Sequence, residues 1–212
     1  MNCRVGYATF HRATFSGDTS FPRTTFTGDA DFDEVTFTGD ARFTNATFTR
    51  DAGFSEVTFT RDAWFREAAF TDPARFDEAT FAGFAEFGEA AFRSVAWFDG
   101  ATFTDTARFD KAIFGDDARF DKATFTGDAR FNEATFTGDA RFDEATGLGK
   151  AELHGVQVLP IEPNGQRIWL TAWQEISDGS GGWTLRLVTA PDDDLDGEDE
   201  GGAAAAEPAS PL

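Results

Sequence analysis

Phenylalanine recurs along this chain at alternating steps of five and six residues. The stretch ATFTGDARFNEATFTGDARFDEAT at residues 123–146 shows the rhythm, which runs from Phe10 to Phe142 without a gap. That makes twelve consecutive eleven-residue units, and of the 26 phenylalanines only Phe84 stands outside the series. A repeat this regular overrides length as a guide to architecture. The 212 residues would otherwise suit one or two ordinary domains.

Two residues before each Phe stands a small side chain. It is Ala except where Thr19, Thr24, Val35 and Val57 replace it. Residues two apart in extended backbone face the same way. The residue between them faces away, and in most units it is Thr, Arg, Asp or Trp. Each unit therefore reads as a very short strand with Phe and Ala inward, followed by a turn. A helix does not fit, because steps of five and six do not keep one face of a 3.6-residue period. The Thr and Phe content also favours strands.

Like side chains stack only if each coil holds a whole number of units. One unit leaves no room for Phe inside. Three strands per coil would set five-steps over six-steps. Two units give four sides and 22 residues, with a lumen filled by Phe and Ala. Five-residue units of Ala, a polar residue, Phe and two further polar positions resemble the pentapeptide-repeat family. The resemblance implies an all-β fold, a right-handed four-sided β-helix. Two departures stand out: Phe is central where members often use Leu, and every second unit carries an extra residue.

That extra residue is Asp at Asp18, Asp29, Asp40, Asp51, Asp62, Asp117, Asp128 and Asp139, often after Gly. Gly accepts positive φ and Asp accepts backbone N–H bonds, so two opposite corners are expected to be widened, each Asp capping its own turn. Positions 22 apart stack, which puts Asp18, Asp40 and Asp62 in one column and Asp29, Asp51, Asp117 and Asp139 in the opposite one. Ca²⁺ needs six or more oxygens, and one carboxylate per coil supplies too few, so no metal or cofactor is expected.

The rhythm continues past Phe142 through Gly147, Leu153 and Val158. The organisation expected is a solenoid at 5–158, a C-terminal β-hairpin cap at 159–190 and a disordered acidic tail at 191–212. In the cap, Asn164-Gly165 is a hairpin-turn signal, and Trp169, Trp173 and Trp183 would cover the last coil. The tail carries eight acidic residues and no basic one. The N-terminal end has no visible cap, so it either frays or pairs with a second molecule through a homodimer contact.

A formal charge of −20 argues against direct nucleic-acid binding. The lone Cys3 rules out an intrachain disulfide framework, and no apolar run suggests a signal peptide or membrane helix, so a cytoplasmic location is expected. His11 and His154 lie at opposite ends, and no phosphate loop or metal-binding cluster appears, so no enzyme is expected. The expected function is a rod that presents an acidic surface to a protein partner. Trp64 and Trp97, set outward among Arg and Asp, are candidate contacts alongside the Asp columns; local packing beside Arg is the competing role. The resemblance adds an alternative, since some family members mimic duplex DNA and bind a topoisomerase such as DNA gyrase. Thr14, Thr36, Thr58, Thr80, Thr102 and Thr124 stack in one row, which suggests an ice-binding face as a further alternative to simple strand propensity.

Overall fold

A computed structural model of the chain describes residues 3–159, 165–179 and 181–188. They form a parallel β-solenoid with four faces. Face one stacks Arg4–Val5, Thr25–Phe26, Thr47–Phe48 and their successors to Gln157–Val158; face two begins at Ala8–Thr9, face three at Thr14–Phe15 and face four at Thr19–Ser20. Register advances by 22 residues along the repeat, as in Thr58↔Thr80 and Ala52↔Ala74, with a 21-residue step from Arg4 to Thr25 at its start and a 27-residue step from Ala140 to Arg167 at its end. Inter-coil bonds such as Phe32 N–H to the Gly53 carbonyl (2.8 Å) join the stack.

Phe and Ala point inward as the spacing predicts. From Phe26 to Phe120 every Phe of the repeat is at most 1% exposed. Rings in one column lie parallel, with Phe48 and Phe70 4.8 Å apart and 1° from coplanar. Rings from different faces meet edge to face, as Phe48 and Phe54 do on neighbouring faces at 83° and Phe54 and Phe65 on opposite faces at 88°. Each such ring gains about 1.5–3 kcal/mol by burial, and favourable ring pairs add about 0.5–1.5 kcal/mol. This is how coils too thin to hold a core alone become stable together.

The two kinds of corner differ. Five-residue steps close a turn in which the Ala N–H donates to the Phe carbonyl, as Ala46 does to Phe43 (2.9 Å). The third turn residue has positive φ, between 54° and 61°, in Arg12, Arg23, Glu34, Asn45, Glu56, Glu67, Glu78 and their successors. Non-glycine residues there are costly unless the surroundings hold them. Here the stack does: the Glu34 N–H donates to the Ser55 carbonyl of the next coil (2.8 Å). Six-residue steps form the Gly-Asp corners. Of the Gly-Asp glycines only Gly17 has positive φ, contrary to the sequence expectation. The demand at Gly39 and Gly127 is close approach: a Cβ would lie 2.3 Å from Gly17 and 2.4 Å from Asp105, both backbone carbons of the preceding coil.

At the C-terminal end Gly147 has φ 82° and opens the 3₁₀ turn Leu148–Lys150. That turn delivers Leu148, 1% exposed, to the core place that step-counting assigns to Gly147. Leu153 and Val158 are buried as spaced. Asn164 lies outside the described residues. The strands flanking Asn164-Gly165 are not partners in a hairpin: Gln157–Val158 continues face one and Arg167–Ile168 continues face two, both parallel to the coil before. An antiparallel pair, Trp173–Ser177 with Trp183–Leu187, then joins the edge of face one. Trp169 and Trp173 lie 5.5 and 4.9 Å from the Phe142 ring, and Trp173 is 5% exposed. Trp183 points out at 40% exposure and does not cover the core. The acidic segment 191–212 also lies outside the described residues. Among the described residues no helix is long and apolar enough to cross a membrane.

Candidate functional site

The interior is filled, so any site must lie on the outside of the rod. The corner between faces three and four carries Asp18, Asp40, Asp62 and Asp128, with Phe84 and Thr106 interrupting. The corner between faces one and two carries Asp29, Asp51, Asp117 and Asp139, interrupted by Pro73 and Val95. The carboxylates do not cap their own turns. Asp18 accepts the Asp40 N–H (3.1 Å), Asp62 the Phe84 N–H (3.1 Å) and Asp139 the Gln166 N–H (2.7 Å), each one coil further on. These three act as straps between coils. Arg42 bridges Asp18 (3.1 Å) and Asp40 (2.7 Å), and Arg75 lies 3.7 Å from Asp51. Asp29 and Asp128 are exposed and have no ion pair among the described residues.

A third acidic line is not singled out by the repeat's extra residue. Asp33, Asp77, Asp99, Asp121 and Asp143 stand directly after a face-two Phe, 22 residues apart apart from Ser55, on the corner between faces two and three. Asp33 accepts the Ser55 N–H (2.8 Å), Asp99 the Asp121 N–H (3.1 Å) and Asp121 the Asp143 N–H (2.9 Å). The neighbouring left-handed position adds Glu34, Glu56, Glu78 and Glu144. An open groove of about 390 Å³ runs along this corner from Asp77 to Glu144. The signal for the ridge was present in the sequence, since counting by 22 at the residue after Phe finds it.

Charge pairing tempers the ridge. Arg119 lies 3.1 Å from Asp99 and Arg141 2.9 Å from Asp121, each reaching back one coil. Burial pushes the Asp33 and Asp99 carboxyls above their ordinary range, against the pull of the N–H bonds and arginines. Asp117 is also raised, by burial first and then by neighbouring Asp116 and Asp139. Asp18 is lowered by the Asp40 N–H and then by Arg42, and Glu34 is lowered by its hydrogen bond to Arg12. No group of three or more His, Cys, Asp or Glu side chains among the described residues is placed to hold a metal ion.

With this geometry in view, comparison with known proteins gives one match. Residues 21–69, 65–113, 98–146 and 109–156 match the family described as Pentapeptide repeats (9 copies), together more than half of the 212-residue chain. The chain belongs to the pentapeptide-repeat family. No curated protein and no solved structure matches it.

On this pentapeptide-repeat rod the tryptophans are less available than their outward positions suggest. Trp64 is half-buried under Phe84, 5.4 Å away edge to face. Phe84 thus fills the Asp place of its corner and shields a neighbour. Trp97 is half-buried beneath the Arg75 guanidinium, 5.5 Å from the ring centre. Between Trp64 and Arg108 on face four lies Glu86, only 3% exposed, which accepts the Gly88 N–H (2.7 Å) and pairs with Arg108 (3.4 Å). On face three the Thr row is in register from Thr14 to Thr124. In the second rank the Thr38, Thr60 and Thr126 hydroxyls donate to Phe15, Phe37 and Phe103 carbonyls at 3.2, 3.0 and 3.3 Å. Those hydroxyls join one coil to the next.

Proposed function

We propose that this repeat scaffold is a non-catalytic rod that presents the acidic corner between faces two and three to a basic surface of a protein partner. The observation that carries this reading is the strapped Asp ladder backed by Glu56, Glu78 and Glu144, all exposed. Carboxylates fixed at about 4.8 Å intervals need little ordering when a basic partner arrives, and their field speeds its approach. The same charge disfavours nucleic acid as a direct ligand.

Affinity capture from the source cell tests the reading, using the intact chain, a Glu56→Gln/Glu78→Gln/Glu144→Gln variant and a form without residues 191–212. Loss of a salt-sensitive basic partner with the triple variant alone is expected. An identical set of partners from the intact chain and the triple variant would overturn the ridge as the contact.

A narrower reading takes the partner to be a topoisomerase such as DNA gyrase, with the rod standing in for duplex DNA. The regular carboxylate ladder favours it; Arg119 and Arg141, paired to the same ladder, weaken the mimicry. A supercoiling assay decides. Inhibition that disappears with the triple variant supports the mimic, and unchanged supercoiling at micromolar protein removes it.

A further inference from the structure

We infer that the acidic segment following Val188 docks back on the C-terminal cap, where Leu195 and its flanking aspartates add a short strand to the free edge of Trp183–Leu187. That strand pairs along its whole length with Trp173–Ser177, but it meets Gln157–Val158 only through Trp183 and Thr184. Beyond Thr184 the walls part. An open wedge of about 460 Å³ lies between residues 184–187 and residues 153–155. The Val188 N–H donates to the Ala172 carbonyl (2.6 Å). Hydrogen-bonding direction alternates along an antiparallel strand, so Leu187 turns its N–H and carbonyl away from Trp173 and into the wedge. Neither group has a hydrogen-bond partner among the described residues.

The wedge has an apolar floor and a basic rim. Leu153 and Leu185 are buried and Leu187 half-buried, while His154 and Arg186 are exposed. Arg186 forms no ion pair among the described residues. The occupant must bring a strand edge, an apolar side chain for the leucine side and an acid for the arginine side. Residues 192–197 read Asp-Asp-Asp-Leu-Asp-Gly and bring all three. Residues directly opposite each other share a face. Leu195 opposite Leu187 therefore covers the floor, and Asp196 falls opposite Arg186. Gly197 then falls opposite Leu185, where the wedge narrows. A shift of two residues keeps the pattern, with Asp194 against Arg186. A shift of one turns Leu195 to water.

The segment is tethered where it is needed. Val188 directly follows the wedge wall, and the seven residues onward to Leu195 span up to about 23 Å at roughly 3.3 Å each, against about 4.8 Å between neighbouring strands. A tether this short holds the segment at an effective concentration in the millimolar range, so a few contacts suffice. A sequence this acidic builds no core of its own. An edge already formed supplies the backbone partners it lacks. The dock in turn covers a strand edge that is otherwise open to foreign chains. It lies at the cap, apart from the corner between faces two and three, so it stands or falls independently of the partner surface proposed there.

Amide hydrogen exchange read by NMR tests this on the full chain over a concentration series. The intact chain is compared with a form without residues 191–212, with Leu195→Ser and with Arg186→Glu. The Leu187 N–H should exchange about tenfold more slowly in the intact chain than in the shortened form. Leu195→Ser should lose that protection and Arg186→Glu most of it. The Phe76 N–H, bonded to the Trp97 carbonyl inside the solenoid (2.7 Å), should stay equally protected in every form, which shows that each is folded. Equal Leu187 exchange in the intact and shortened chains overturns the proposal. Protection that survives Leu195→Ser overturns it as well, since the leucine is then not the anchor. So does protection that rises with protein concentration, because a second copy is then the occupant.

Discussion

The two ends of this rod meet the same problem with opposite outcomes. At the C-terminal end the Phe layer of Phe131, Phe136 and Phe142 lies under Trp169 and Trp173, and an added antiparallel pair takes up the strand edge. The ring nitrogens are served as well: Trp169 donates to Glu175 (2.6 Å) and Trp173 to the Leu148 carbonyl (3.4 Å). At the N-terminal end Phe10, Phe15 and Phe21 stack on the second coil alone, at 5.0 to 5.3 Å. A repeat supplies its own neighbours everywhere but at its ends, so the ends are where sequence outside the repeat matters most.

The sharpest test of the contrast is truncation of a core ring. Phe76→Ala, in a layer with rings above and below, should cost about 3–5 kcal/mol in denaturant unfolding. Phe15→Ala should cost less than half of that in dilute solution. If the two costs are equal, the first coil is as well packed as the middle. If the Phe15→Ala cost grows with protein concentration, the end is covered by association.

Next in size is the cap. Trp173→Ala should cost about 3 kcal/mol, and Trp183→Ala under about 1 kcal/mol, because only the first lies on the Phe142 layer. A reversed order would show that the exposed tryptophan is the true lid.

Corners should respond more weakly. Gly138→Ala brings a Cβ within 2.6 Å of the Asp116 carbonyl carbon, and a shift of that backbone should cost about 1–3 kcal/mol. Glu78→Gly relieves a left-handed residue, φ 54°, and should change stability by under about 1 kcal/mol, since glycine's extra chain entropy offsets the relief. Thermal melts of the pair would distinguish close approach from conformational demand.

The smallest effect is the pH response, and its sign differs along the rod. Asp18 and Glu34, near the bare end, have lowered pKa values, so the stability they lend is present above the ordinary carboxylate range and lost as pH falls through their own pKa. Asp99 and Asp117 have raised values, chiefly from burial, so their share is present at low pH and lost as pH rises through theirs. Carboxyl NMR titration should place the first two below and the last two above the usual range near 4. Titration in the reverse order would remove this account of the corner carboxylates.

Much of the candidate surface was legible in advance. The columns through Asp18 and Asp29 follow from counting by 22, and so does the Asp33 ridge, although Gly-Asp drew attention to the extra residue and away from the residue after Phe. What could not be read was partnership. Whether Asp62 serves its own turn or the Phe84 amide one coil away depends on where the next coil's backbone passes. Trp64 looks exposed until Phe84, twenty residues later, is brought beside it.

The sequence by itself determined the coil: Phe and Ala inward, four sides, 22 residues and two wider corners. These follow because like side chains stack only when the coil holds a whole number of repeats. Only the tertiary structure decided that Gly39 is needed for close approach, that Glu78 is held left-handed, and that Leu148 takes the core place counted to Gly147. Those outcomes depend on contacts between successive coils, and contact across 22 residues is fixed only once the chain has closed its square.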